Sequence, residues 1–315
     1  MIEISKMNKR LFAFGCSFTR YRWPTWADIL GLSYSQCQNW GAIGGGNHFI
    51  FCSLIEAIQR EKINSNDTVA IMWTSVGRED RFINNEWQLY GSIYNSPYPE
   101  EYIKNFTDPT GFFLTSVTLI DAAKKILDSI GCEYHFFSMV PFEKVDDSFL
   151  NLLFTLKKDT ETEIKTLYKD TLACIKPSVF DLVFNGDWAS RKHMVVAKDR
   201  DLELTYLKND YKNCAGGDWP SFDDFLNDQW GNSSKDIVNE IENQFHLISR
   251  RNNITTTGRT DYHPVPTEHA EYLQALGFKL TDQQLELARS WTDKILADPH
   301  ARFSRPEFDR FKCSK

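Results

Sequence analysis

No stretch of this sequence approaches the apolar length of a membrane span. The N-terminal MIEISKMNKRLFAFG has positive charge but only a very short apolar run before a turn, so no secretory signal is expected there. Basic excess is missing too. The formal net charge is −7, which leaves no cationic footprint for nucleic acid and no polybasic patch for a membrane surface. CxxC spacing is absent. The seven cysteines (Cys16, Cys37, Cys52, Cys132, Cys174, Cys214 and Cys313) are scattered, and an odd number does not suit a full disulfide set. They read as reduced thiols filling a core, so a soluble, cytoplasmic protein is the expectation. Internal repeats and low-complexity tracts are also lacking.

What is present is ample apolar material: 315 residues, 42% hydrophobic and 14% aromatic, enough for a large core and too much for one minimal domain. One domain with large insertions, or two domains, is expected. Short apolar runs alternate with helical patterns at the start, the sign of a parallel sheet with crossover helices. RLFAFG at 10–15 reads as the first strand, and 25–32 as a helix with Trp26, Ile29 and Leu30 on one face. A second strand at 34–40 runs into GAIGGGN, and Phe51, Leu54, Ile55 and Ile58 then mark a helix over 47–62. TVAIMW at 68–73 is a third strand. A helix over 117–131 ends on a C-cap glycine before a fourth strand at 133–140.

Residues 1–140 are therefore the N-terminal part of an α/β domain. From 141 to 255, acidic helical segments alternate with aromatic ones and no strand series stands out, which predicts a mostly helical insertion in whose own core Trp188, Trp219 and Trp230 belong. Residues 256–315 complete the α/β domain: a loop with two prolines, a helix capped near Thr267 and closed by Gly277, and a last helix opened by the Thr281-x-x-Gln284 capping box.

Three loops compete for chemistry at the sheet edge where open α/β folds bind ligands. In GCSFT, after the first strand, Ser17 is placed as a nucleophile needs; a helix cap or polar turn uses a serine there equally well. Cys16 should point into the core. The second loop, Asn39 to Asn47, has four glycines in six positions before a helix N-terminus, which suits a negatively charged oxygen. A phosphate loop is the weaker rival, since no Gly-Lys-Ser/Thr follows, and a plain tight turn is the third reading. In the last loop, Asp261-Tyr-His263-Pro, an imidazole follows a carboxylate closely, as a general base and its orienting group do; a structural His-Pro is the competing reading. His269 lies six residues on, and no Cys/Glu partner makes a zinc set with it, so neither metal nor other cofactor is implied.

In combination and in chain order these blocks resemble the SGNH/GDSL hydrolases. The resemblance implies a flavodoxin-like three-layer α/β/α fold with a parallel sheet, and a serine esterase acting through an acyl-enzyme. FGCSFT stands for the family's first block, with Ser17 as nucleophile and Cys16 in place of the usual aspartate. Asn39-x4-Gly44 matches the second block, so the resemblance gives Gly44 an oxyanion N–H alongside that of Ser17. His263-Pro matches the last block and makes His263 the base.

Two departures from the family pattern follow. After the third strand comes TSVGRED, without the asparagine that donates to the oxyanion, so that donor is expected from Asn47 or from a hydroxyl of Thr74 or Ser75. The last block is Asp-x-His rather than Asp-x-x-His, which puts Thr260 in the aspartate's register and leaves Asp261 as orienter. Arg78, just past the third strand, is placed to meet an anionic substrate group or to pair with Glu79 or Asp80. The segment 84–106, dense in Trp, Tyr and Asn, either lines the site, which would favour a carbohydrate ester substrate, or packs internally. An acyltransferase using the same serine, or a non-hydrolytic binding protein of the same fold, remains the alternative reading.

Overall fold

The computed structural model describes residues 9–93, 100–141, 158–186, 195–199, 221, 224, 258–261, 263–298 and 301–313. Trp188, Trp219 and Trp230 lie outside them. The chain divides into two compact units. One comprises Met1–Asp187, His263–Thr292 and Arg302–Lys315; the other comprises Trp188–Tyr262 and Asp293–Ala301.

The first unit is built on four parallel strands, β1 (Arg10–Gly15), β2 (Gln36–Asn39), β3 (Thr68–Trp73) and β6 (Glu133–Ser138), in the order β2-β1-β3-β6. Ile175 adds a single parallel bridge to Phe136, and the Lys176 amide donates to the Phe136 carbonyl at 2.8 Å. The sheet thereby acquires the first residue of a fifth position, giving the flavodoxin-like order. Every residue of β3 is buried, as expected of a strand covered on both faces.

Helices cover those faces in two layers. On one side, α2 (Asn47–Glu61) and α4 (Pro109–Ile130) pack over Phe12, Phe14, Ile71, Trp73 and Phe136. On the other, Phe137, pointing the opposite way from its neighbour Phe136, meets Trp26 of α1 (Trp26–Gly31) at 4.9 Å and Tyr272 of α8 (Pro266–Ala275) at 5.9 Å. The fold is a three-layer α/β/α sandwich. Its α4 starts well before Val117, because Asp108 caps it through the Thr110 amide at 2.8 Å and Pro109 takes the first turn.

Residues 158–184, inside the stretch that composition sets apart as 141–255, carry α5 (Lys158–Leu167), α6 (Lys169–Leu172) and α7 (Val179–Phe184). The first two pack on α4 and α7 packs on α8, in the unit that holds the sheet, because the bridge at Ile175 ties them to β6. In the second unit, β7 (Val195–Asp199) pairs antiparallel with β8 (Gly258–Asp261).

One element has no counterpart in the sequence reading. A hairpin of β4 (Arg78–Ile83) and β5 (Glu86–Ser92) follows β3 and is joined by the short β9 (Lys312–Cys313). Its turn is Asn84-Asn85, with φ of 54° and 66°, the left-handed pair of a tight hairpin turn that asparagine tolerates. Trp87 from this hairpin is buried edge-on against Phe49 at 5.5 Å, so part of the aromatic density at 84–106 packs the core. Two further helices are α3 (Glu100–Phe106), ahead of α4, and α9 (Asp282–Ala297).

Candidate active site

Strands β1, β2, β3 and β6 run parallel, so the loops after them share one edge of the sheet. The loop after β1 turns at once. Gly15 has φ +156°, and a Cβ there would lie 2.0 Å from Thr19 Oγ1 and 2.9 Å from the Met72 carbonyl, so only glycine fits. The amides of Thr19 and Arg20 both donate to the Cys16 carbonyl, at 2.9 and 3.1 Å, closing one helix-like turn around Ser17. Ser17 is 5% exposed, and among the described residues neither its amide nor its hydroxyl has a hydrogen-bond partner. Cys16 is fully buried, its thiol 3.7 Å from the Met139 sulfur, and does not reach the surface of this turn.

The segment bearing His263 comes to the same turn. Trp23 Nε1 donates to the Pro264 carbonyl at 2.8 Å, joining positions 241 residues apart. The His263 ring stacks on Tyr21, with centroids 3.7 Å apart and planes within 15°, and stands 5.5 Å from Phe18, the residue after Ser17. His269, buried on α8, meets the same Phe18 edge-on at 6.5 Å. Asp261 ends β8 in the second unit, where its register partner is Val195. The C-terminal tail helps to fix this loop: Arg305 donates to the carbonyls of Tyr21 and Trp23 and forks onto both oxygens of Asp28 at 3.0 Å.

The glycine loop is held from two directions. Asn39 Nδ2 donates to the Thr19 carbonyl at 2.6 Å and its Oδ1 accepts from the Gly41 amide at 3.1 Å, locking the second loop to the first. Gly44 has φ +79° and a Cβ there would sit 2.2 Å from the Leu89 carbonyl, so the loop lies directly on β5. The N-terminus of α2 is already filled. Asp80 of β4 accepts from the Gly46 amide at 2.8 Å and the Phe49 amide at 2.9 Å, and a Cβ on Gly46 would be 2.6 Å from its Oδ2. Burial raises the Asp80 pKa above the ordinary carboxylate value, opposed by these two amides and by His48 and Arg78. The phosphate-loop reading ends here: the protein's own carboxylate occupies that anion position.

The third loop corrects an expectation. The Asn47 amide group spends its donors on the Thr74 carbonyl at 3.2 Å and Ser116 Oγ at 3.1 Å, while its oxygen accepts from the Thr74 amide at 3.0 Å. With both N–H bonds committed and the side chain buried, Asn47 staples α2 and α4 to the end of β3 and has no donor left for an oxyanion. The Thr74 hydroxyl is also buried, on the Met139 sulfur at 3.7 Å. Ser75 Oγ accepts a long bond of 3.4 Å from Arg78 Nε. Arg78 further donates to the Gly45 carbonyl at 3.0 Å and approaches Met139 Sδ at 3.9 Å. Among the described residues it has no ion pair: Glu79 bonds Arg81 and Tyr102, and Asp80 is on the helix. Met139, just past β6, thus gathers Cys16, Thr74 and Arg78 around one thioether, a convergence that no local motif signals.

The described residues contain no group of three or more His, Cys, Asp or Glu placed to hold a metal ion, and no helix among them is long and apolar enough to cross a membrane. The six cysteines among them are free thiols.

No protein-family model matches the chain, and a search of curated proteins finds no match. Among solved structures, the chain is similar to a member of the lipolytic protein G-D-S-L family from Veillonella parvula, with 17% identity and a TM-score of 0.34, over 60% of this chain and 87% of the other. It is also similar to a candidate platelet activating factor from Streptococcus pneumonia, with 13% identity and a TM-score of 0.31, over 60% of this chain and 73% of the other. Likeness at such TM-scores is loose, and the fold stands on strand order and layer packing instead.

Proposed function

We propose that the protein is a serine esterase that hydrolyses an O-acyl or O-acetyl ester of a small molecule or carbohydrate. The observation that supports this most is the bond from Trp23 to the Pro264 carbonyl, with the stacking of His263 on Tyr21, which brings an imidazole from late in the chain to the turn that carries Ser17.

In this reading Ser17 Oγ attacks the ester carbonyl as His263 takes its proton, and the alcohol leaves with that proton. The amides of Ser17 and Gly44 hold the oxyanion. Water activated by His263 then releases the acyl group. Losing one oxyanion donor slows such enzymes ~100- to 1000-fold, so a replacement for the missing asparagine matters. Arg78 is the group we assign to it: half-buried, without an ion pair among the described residues, and bonded to Ser75 and Gly45, it meets the carbonyl oxygen or an anionic group of the substrate.

The test is hydrolysis of p-nitrophenyl acetate together with labelling by a fluorophosphonate, in the wild type and in Ser17→Ala and His263→Ala. Expected is labelling at Ser17 and turnover that falls ~1000-fold or more in both variants. Labelling with little hydrolysis would instead indicate an acyltransferase. Absence of labelling, or Ser17→Ala retaining turnover, would overturn the esterase reading and leave a binding protein.

A further inference from the structure

Tyr21 meets His263 face to face. Their ring centroids are 3.7 Å apart and their planes within 15°, and the Tyr21 side chain is buried. The tyrosine is itself held in place: Trp23 abuts it edge-on at 4.7 Å, and Arg305 donates to its carbonyl. The same Trp23 ties down the Pro264 carbonyl, one residue past His263, at 2.8 Å. One loop thus fixes the histidine backbone through Trp23 and the plane of its ring through Tyr21. Arg22, exposed, stands 5.9 Å from the Tyr21 centroid, at the outer limit for a cation on a ring.

Such overlap favours one charge state. Two neutral aromatic rings avoid full face-to-face overlap, because their negative faces repel, and settle offset or edge-on with centroids roughly 4.5–7 Å apart. A cationic ring reverses the sign, since the negative face of a phenol attracts it. The Tyr21–His263 geometry therefore suits an imidazolium better than a neutral imidazole.

We infer that Tyr21 is a positioning residue for His263, fixing the plane of the imidazole and stabilising the imidazolium that forms when the ring takes the Ser17 proton. This rests on the esterase reading and adds to it the group that makes the base effective. In acylation the proton passes from Ser17 through the ring to the leaving alcohol. In deacylation a proton from water passes through the ring back to Ser17, so the ring is transiently cationic in both half-reactions. An attraction that is strong only then lowers both barriers without tightening substrate binding.

The test is hydrolysis of p-nitrophenyl acetate by the full chain with Tyr21→Phe, Tyr21→Leu, or 4-cyanophenylalanine at position 21, which keeps the ring but withdraws electrons from its face. Tyr21→Phe should hold kcat within ~3-fold of wild type, the cyano ring should lower it ~3-fold or more, and Tyr21→Leu ~10-fold or more, with KM little changed in all three. Should Tyr21→Leu fail to fold, the cyano variant decides. Proton NMR of histidine-labelled protein reads the stack without turnover: the His263 ring protons, shielded by the phenol face, should move downfield in Tyr21→Leu and stay in Tyr21→Phe. The inference is overturned if the cyano and leucine variants turn over as the wild type does, if the loss falls on KM alone, if Tyr21→Phe loses as much as Tyr21→Leu, or if the His263 protons do not move. Turnover that survives Ser17→Ala would sink the esterase reading first, and this inference with it.

Discussion

Trp23 and Pro264 are joined by an indole N–H to carbonyl bond of 2.8 Å that is buried and spans 241 positions of sequence. It fixes where the His263 loop lies against the loop after β1. Trp23→Phe keeps an aromatic ring but leaves the Pro264 carbonyl unpaired, which should cost ~1–3 kcal/mol of stability. If His263 serves Ser17, the same variant lowers kcat toward p-nitrophenyl acetate more than it changes KM. Unchanged kcat in a folded variant would separate the tether from catalysis.

Asn47→Ala should act on stability. It orphans the Thr74 amide, the Thr74 carbonyl and one Ser116 contact in a buried place, so a loss of roughly 2–4 kcal/mol in urea unfolding is expected. A variant as stable as the wild type but devoid of turnover would return Asn47 to the oxyanion site.

Asp80 predicts a pH effect of definite sign. Its folded pKa lies above the 3.8 of an unperturbed aspartate, so the folded state holds the proton more tightly than the unfolded state. The stability it contributes is complete below the unfolded pKa and is lost as pH rises through the folded one. Comparing Tm with that of Asp80→Asn, the wild-type advantage should be larger at about pH 4 than at about pH 7. The opposite trend would show that the two helix amides outweigh burial.

Thiol chemistry offers a further check. Burial pushes Cys37 up to about 12 and Cys132 up to about 11, so neither forms much thiolate near neutral pH. In the native protein at about pH 8, iodoacetamide should modify both slowly, and both should react at the ordinary rate in urea. Mass spectrometry of the alkylated peptides reads this directly. Rapid native labelling at Cys37 would mean that α1 opens readily.

Much of the architecture was legible because strands buried on both faces are continuous apolar runs. RLFAFG and TVAIMW coincide with β1 and β3. The β4–β5 hairpin escaped because REDRFI is charged, and only its Asn-Asn turn advertises it. The fifth sheet position rests on one bridged residue, Ile175, too short for any periodicity to show. At the candidate site, the turn at Ser17 and the His-Pro loop stand out in the sequence because each depends on residue types at fixed local spacing. Asp80 on the helix N-terminus, the committed amide of Asn47 and the thioether of Met139 depend on contacts between distant elements.

The Asp80 carboxylate on α2 has a last implication. Loops rich in glycine are floppy in isolation, and many take their working shape only when a ligand supplies the missing anion. Here a counter-ion is built into the chain at 2.8 and 2.9 Å, so the loop from Gly44 onward is held by the protein's own carboxylate. The entropy of ordering it is settled during folding, and a ligand arriving at that edge meets a surface already rigid.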